Sequence, residues 1–224
     1  MSGAAEQTLR EGLRRLALEV DDRQVAFLLA YLALIAKWTQ VYNLTAVRDP
    51  EEMMTHHLLD SLAAVPALRL QLDRMGLNGI ASLLDVGSGA GLPGVVFAIC
   101  CPAMAVTCVD TVAKKAAFIR QVALELKLAN LTGLHQRVEQ IHEPYDIICS
   151  RAFASLGDFT AWSAGALAPG GLWMAMKGKC PTNELASLPS SVKVFHVEQL
   201  QVPGLVAERC IIWLRPNAEN TATI

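Results

Sequence analysis

An apolar run that breaks into glycines constrains this chain more than any other stretch: residues 83–94 read Leu-Leu-Asp-Val-Gly-Ser-Gly-Ala-Gly-Leu-Pro-Gly. The run ends in a carboxylate, Asp85, after which Gly87, Gly89 and Gly91 alternate with other residues. Pro93 then suits the first turn of a helix. This order is that of a parallel strand handing over to a helix through a tight loop with no side chains in the way. Glycine is needed where such a loop takes positive φ and where a ligand lies against bare backbone. The helix N-terminus behind it offers unpaired N–H groups and a partial positive charge to a carboxylate or phosphate. The implication is a nucleotide-type cofactor site, weighed against a glycine-rich turn that binds nothing.

Two cofactors compete for the loop. Gly89-Ala90-Gly91-Leu92-Pro93-Gly94 satisfies the dinucleotide fingerprint, and Asp110 follows about 20 residues on, where a ribose-binding acid belongs. The frame that opens at Asp85 and Gly87 instead resembles the S-adenosylmethionine (SAM) loop of class I methyltransferases. Asp85 favours the second frame, because a carboxylate suits the ammonium group of SAM and repels a pyrophosphate. Asp110 fits both, since both cofactors carry a ribose whose hydroxyls want an acceptor.

Helical periodicity comes first along the chain, at 8–18 and 22–40, with Asp21 or Asp22 capping the second segment. Asp49-Pro50-Glu51-Glu52 is a further helix start, expected to run to about residue 65, before Pro66. Strand-like segments follow at 80–86, 105–110, 131–135 and 145–150, with an amphipathic helix at 112–128 whose Lys114, Lys115, Arg120 and Lys127 face solvent. Ala168-Pro169-Gly170-Gly171 turns into a strand at 172–177. Segments 192–200 and 206–214 then form an antiparallel pair around Pro203-Gly204. The expectation is an α/β fold: a mostly parallel, seven-stranded Rossmann-like sheet of the class I SAM-dependent methyltransferase type, ending in an antiparallel hairpin and preceded by N-terminal helices. That ending disfavours a dinucleotide enzyme. The expected division is a helical extension at 1–67, a methyltransferase core at 68–216 and a tail at 217–224.

Composition fits one compact unit: 224 residues, 53% hydrophobic and 18% charged. The six cysteines include adjacent Cys100 and Cys101 and no Cys-x-x-Cys pair, so they are expected to be reduced core residues in a cytoplasmic protein. No signal pattern opens the chain. Neither apolar stretch, 25–36 or 92–109, is expected to cross a membrane: the first is short of the ~20 residues required, and Pro93, Gly94 and Pro102 punctuate the second.

Several acceptor chemistries lack their residues. Cys101-Pro102 has the look of a cytosine-C5 nucleophile but lies away from the strand tips, and a core cysteine is the plainer reading. Exocyclic-amine methylation usually goes with an Asn/Asp-Pro-Pro-aromatic run where this chain has Ser150-Arg151-Ala152-Phe153. His56, His57 and Asp60 make a weak metal signal, and no metal is expected. An acceptor that already owns a lone pair, such as guanine N7, needs alignment and no base. Arg151 and Phe153 would hold a base or cofactor by stacking and cation–π contact, with a core role for Phe153 as the alternative.

The chain resembles the ribosomal RNA small-subunit methyltransferase G family over roughly residues 28–214. The resemblance rests on Lys37-Trp38, on 42–50 (Tyr-Asn-Leu-Thr-Ala-Val-Arg-Asp-Pro), on His57 with Asp60-Ser61 and on the glycine loop. Arg137-Val138-Glu139, Ser150-Arg151-Ala152-Phe153-Ala154-Ser155-Leu156, Lys177-Gly178 and Glu208-Arg209 complete it. It implies N7 methylation of one guanine in the decoding-region hairpin of 16S rRNA, with SAM as donor. By the family pattern Gly87 and Leu92 contact the cofactor, beside Gly89 and Gly91 of the same loop. Val138 and Glu139 lie along the adenine, and Arg151 reaches the active-site end. Asn43, His57, Lys177 and Arg209 match polar positions that ring the acceptor. Two departures stand out: Thr39 replaces the usual Asn after Lys-Trp, and His56 stands where Arg is common.

The charge is unusual for an RNA enzyme: 19 Lys and Arg against 21 acids, a net of −2. Arg10, Arg14, Arg15 and Arg23, with Arg48, Lys177 and Arg209, offer a local patch; the plainer reading of the N-terminal arginines is a solvated helix face. The expected partner is therefore 16S rRNA folded in the small subunit or its precursor, met by a monomer, with no DNA and no membrane. Two other functions stay open: methyl transfer to a protein or small molecule, and nucleotide binding without catalysis.

Overall fold

The computed structural model describes residues 3–77 and 80–217; the expected tail lies, beyond residue 217, outside the described residues. These residues build one seven-stranded sheet in the order β3-β2-β1-β4-β5-β7-β6. β1 (Ser82–Val86), β2 (Ala105–Asp110), β3 (Leu131–His135), β4 (Tyr145–Arg151) and β5 (Leu167–Lys177) are parallel. β7 (Arg209–Pro216) runs antiparallel to β5 and to β6 (Val192–Leu200) and lies between them. The expected mixed sheet is present.

Strand alternation splits the core in two. Leu83, Val106, Cys108, Ile147, Cys149 and Met174 face a larger helical layer, while Leu84, Val109, Ile148, Trp173 and Ile212 face a smaller one. The larger layer holds α1 (Gly3–Arg15), α2 (Asp22–Tyr42), a segment from α3 (Pro50–Met53) to α4 (Asp60–Leu62), α5 (Val65–Arg74), α6 (Gly94–Cys100) and α7 (Ala113–Glu125). The smaller is built around α8 (Leu156–Ser163), with α9 (Thr182–Ala186) beyond β5. α5 runs through residue 68, and the helices before it share one apolar core with the sheet.

α2 is long and apolar enough to cross a membrane by length and composition alone. Here Leu28, Tyr31 and Ile35 are fully buried, and α2 packs on α6 and α7. Asp21 caps it through a reciprocal bond with Gln24, which in turn reaches the Ile99 carbonyl at 2.8 Å.

Four boundaries differ from those the sequence suggests. α1 spans Gly3–Arg15 and stops where Ala17 turns left-handed at φ 49°. The helix opened by Asp49 does not run evenly to residue 65: Met54–Leu59 is a π-helix, and Pro66 sits in the first turn of a new helix, where its missing N–H costs nothing. Residues 168–171 are not a turn before β5 but an excursion inside it, absorbed by a register shift against Tyr145 and Ile147 of β4. β7 starts at Arg209, so the link from β6 is longer than a tight turn, although Gly204 does turn at φ 78°.

Candidate active site

The loop between β1 and α6 is shaped by backbone that only glycine takes easily: Gly87, Gly89 and Gly91 have φ of 66°, 60° and 87°. The N–H groups of Gly87 and Ser88 donate to the Val109 carbonyl, at 3.0 and 3.2 Å. Gly89 N–H donates to Asp110 Oδ2 at 3.0 Å, tying the loop to the tip of β2. From the helical layer, the Tyr31 hydroxyl donates to the Ala90 carbonyl at 2.7 Å.

Two cavities flank this loop and meet at Gly87, which lines both. One, of about 430 Å³, is lined by Val86, Val109, Asp110, Val138, Glu139, Phe153 and Trp162. Apolar side chains share its wall with Lys115, Gln136 and Arg137, and the acid at a strand tip suits the ribose of an adenosine. Asp110 is buried, accepts from Val112 N–H at 2.8 Å and lies 3.5 Å from Lys115 Nζ. Phe153 packs edge-on to Phe159 and Trp162, so it is wall and core neighbour at once. The face of Gly89 is open, with no atom within 4 Å of where a Cβ would stand. These features fit SAM: the loop backbone with Gly87, Gly89 and Leu92 would hold its middle, and Asp110, Val138 and Glu139 its adenosyl end.

The other cavity, of about 420 Å³, gathers basic groups on a largely apolar wall; His57, Asp60, Arg151, Lys177 and Arg209 line it beside Gly89 and Leu92. Asp60 is its hub. Arg151 Nη1 donates to Asp60 Oδ2 at 2.8 Å and to the His56 carbonyl at 2.8 Å. Arg209 Nε donates to Asp60 Oδ1 at 2.6 Å. Lys177 Nζ donates to the Ala154 carbonyl and to Glu184 Oε2, each at 3.0 Å. His57 Nε2 lies 2.8 Å from Thr45 Oγ1. Burial, then the Arg151 charge, lowers its pKa to about 4, so the ring is neutral at pH 7. Ala152, left-handed at φ 54°, turns the chain away after Arg151 at the tip of β4.

Three expected ligand contacts sit elsewhere. Asp85 lines neither cavity: its side chain points to the helical layer, fully buried, and accepts from Gly94 N–H at 2.8 Å. It therefore ties the loop's far end to β1 and is out of reach of an ammonium group. Gly91 also lines neither cavity; a Cβ there would stand 2.5 Å from Val95, so its role is close packing under α6. Asn43 caps α2 at φ 50° and accepts from Arg48 Nη2 at 2.7 Å, next to Leu44 and Thr45, which do line the basic cavity. Conversely, Asp60 and Thr45 belong to the site, although the sequence marks Asp60 only as a weak metal signal and a family match and Thr45 only within the 42–50 run.

Residues 24–212 match the model of the family described as rRNA small subunit methyltransferase G (GidB). The Ribosomal RNA small subunit methyltransferase G of Polaromonas naphthalenivorans (strain CJ2) is 72% identical over 93% of this chain and 95% of its own length. That of Albidiferax ferrireducens is 67% identical over 95% and 98%. Among solved structures, TrmN from Thermus thermophilus (TM-score 0.54, 18% identity, 73% of this chain and 53% of its own) shares the fold. So does coclaurine N-methyltransferase bound to N-methylheliamine and SAH (TM-score 0.52, 13% identity, 88% and 73%). With relatives this close over nearly its whole length, the chain belongs to the rRNA small subunit methyltransferase G family, and it is a SAM-dependent methyltransferase.

Proposed function

We propose that this methyltransferase modifies N7 of one guanine in the decoding-region hairpin of 16S rRNA, presented by the small subunit or its precursor. The observation that supports it best is at Gly87, which lines both the slot with Asp110, Val138 and Glu139 and the basic cavity with its neutral histidine. When bound, SAM supplies an electrophilic methyl on a cationic sulfur. Guanine N7 has a lone pair and no proton, so the chain needs no general base. His57 matches that demand: neutral at pH 7 and fixed by Thr45, it offers a hydrogen bond and takes up no proton. Arg151 and Arg209, pinned on Asp60, and Lys177, pinned on Glu184, are donors already in place. Their work is alignment, the main source of rate when the acceptor is already nucleophilic. Asn43 acts at one remove, through the turn that sets Thr45. Such a substrate places the protein's work in the cytoplasm.

Mass mapping of 16S rRNA nucleosides from cells with and without the gene tests this reading. One 7-methylguanosine should vanish from the decoding-region hairpin when the gene is removed, and purified protein with SAM should restore it. An unchanged nucleoside map, or methyl label recovered only in protein or small molecules, overturns it.

A further inference from the structure

Two adjacent apolar side chains stand in solvent at the last turn of α2: Val41 is 68% exposed and Tyr42 43%. Single exposed apolar residues are ordinary on a protein surface. The setting of Tyr42 is less so. Its ring centroid lies 5.0 Å from that of Trp38, one turn earlier, and Trp38 lies 5.2 Å from Phe118, which is fully buried in α7. A ladder of three rings therefore runs from the core to the surface and steadies its last rung.

The place of that rung is next to the acceptor cavity. Leu44 and Thr45, two and three residues on, line the cavity. Two residues of chain span at most about 7 Å, so the backbone that carries the ring stands close to the cavity wall. A cation stands beside it as well. Arg48 Nη2 donates to Oδ1 of Asn43, the residue after Tyr42, at 2.7 Å. Arg48 is exposed and forms no ion pair among the described residues.

From this we infer that Tyr42 and Arg48 form a subsite for the nucleotide next to the methylated guanine, the ring stacking on its base and the guanidinium meeting its phosphate. The inference rests on the rRNA reading above and adds residues outside the cavity that hold the strand. A guanine seated in the cavity has left its stack, and its neighbour has lost a stacking surface. An aromatic side chain held in place supplies one, as it does where proteins bind unpaired RNA. Every base has a π-face, so this contact adds affinity and position and no choice of sequence. A protein partner is the poorer fit, since two apolar side chains are far less than a stable protein interface buries.

The test uses the full chain and small subunits from cells that lack the gene. Tyr42→Ala and Tyr42→Leu should each lower kcat/KM about 10-fold or more, the scale of one base stacked on a ring. Tyr42→Phe and Tyr42→Trp should keep most of the rate. The SAM Kd measured by calorimetry should stay put in all four, and Arg48→Gln should make the salt dependence shallower by about one phosphate contact. Tyr42→benzoylphenylalanine, irradiated on the particle, should crosslink to the nucleotide adjacent to the methylated guanine. Tyr42→Leu at the native rate overturns the subsite, and so does Tyr42→Leu with rate and SAM affinity lost together, which would make the ring a brace of the fold. A crosslink to a ribosomal protein or to distant RNA overturns it too. Native protein that leaves small subunits unmethylated sinks the rRNA reading instead, so the two failures are told apart.

Discussion

Gly87 answers to two constraints at once. Its φ of 66° is one that a Cβ disfavours, and that Cβ would stand 2.5 Å from Phe153 Cδ2. Gly87→Ala should therefore weaken SAM binding about 10-fold or more, while Gly89→Ala, with φ 60° but open space, pays only the backbone strain of about 1–2 kcal/mol unless ligand is present. Calorimetry with SAM decides the first point, and undiminished affinity in Gly87→Ala would move the cofactor away from this loop. Asp85 is the other residue whose setting dictates behaviour. It pairs in register with Cys108 on one side and Cys149 on the other, and its Oδ1 has no hydrogen-bond partner. Burial pushes its pKa up to about 7, and the Gly94 N–H only partly offsets that. A carboxyl raised on folding stabilises the fold fully below its unfolded value, and that contribution drains away as pH rises through 7. Asp85→Asn cannot ionise, so its stability relative to the native chain should improve by roughly 2–3 kcal/mol from pH 5 to pH 8. Urea melts at the two pH values measure this; a constant difference would mean that Asp85 is charged throughout. His57 has the opposite sign: lowered to about 4, it contributes stability above its unfolded value that is lost as pH falls toward 4.

Among elements, α2 serves the site without lining it. One face is buried against α6 and α7, and Tyr31 reaches from that face to the loop carbonyl of Ala90. Tyr31→Phe keeps the packing and orphans a buried carbonyl, which costs about 1–3 kcal/mol. Both the melting temperature and SAM affinity should fall, since the bond braces the loop between Gly89 and Gly91. A variant that melts lower yet binds SAM as before would show that the brace matters to stability alone. The β1–loop–α6 unit was legible because its signals are local: an apolar run, glycines at alternate positions, a proline. The cap at Asp49, the choice of Asp21 or Asp22 for α2 and the antiparallel end of the sheet were legible for the same reason. Alternation in β1 says that Asp85 and Val86 point opposite ways, but not which layer covers Asp85, and the ligand contact expected of it fell on that gap. The sharing of Asp60 by Arg151 and Arg209 depends on partners 91 and 149 residues away, and no local pattern marks the π-helix at Met54–Leu59. The short helices α5, α8 and α9 escaped too, with few turns in which periodicity can show.

The molecule as a whole is a poor polycation. Its formal charge is −2, and the N-terminal arginines are mostly engaged with its own acids: Arg10 with Glu6 and Asp22, Arg14 with Glu11. Arg23 lies over the Phe27 ring, 5.1 Å from its centroid. α1 therefore has the solvated face of an ordinary surface helix. Arg151, Lys177 and Arg209 share one cavity, each on an acid of the chain, and Arg48 lies beside the turn that lines it. Each phosphate neutralised adds about 0.7–0.9 to the slope of log affinity against log salt, so one or two contacts give a slope of about 1–2, shallow for an RNA enzyme. Phosphate contacts of that number carry no choice of one guanine among many in naked RNA. On the rRNA reading proposed above, selection falls to the shape of a folded ribonucleoprotein that offers a single guanine to the cavity. Small subunits or their precursors should thus be methylated at least about 100-fold more efficiently, by kcat/KM, than a short hairpin of the same sequence, a difference of about 3 kcal/mol. Raising salt should slow the reaction on the particle only along that shallow slope. A hairpin methylated as fast as the particle would show that the cavity recognises its target unaided, and the low charge of the surface would then need another explanation.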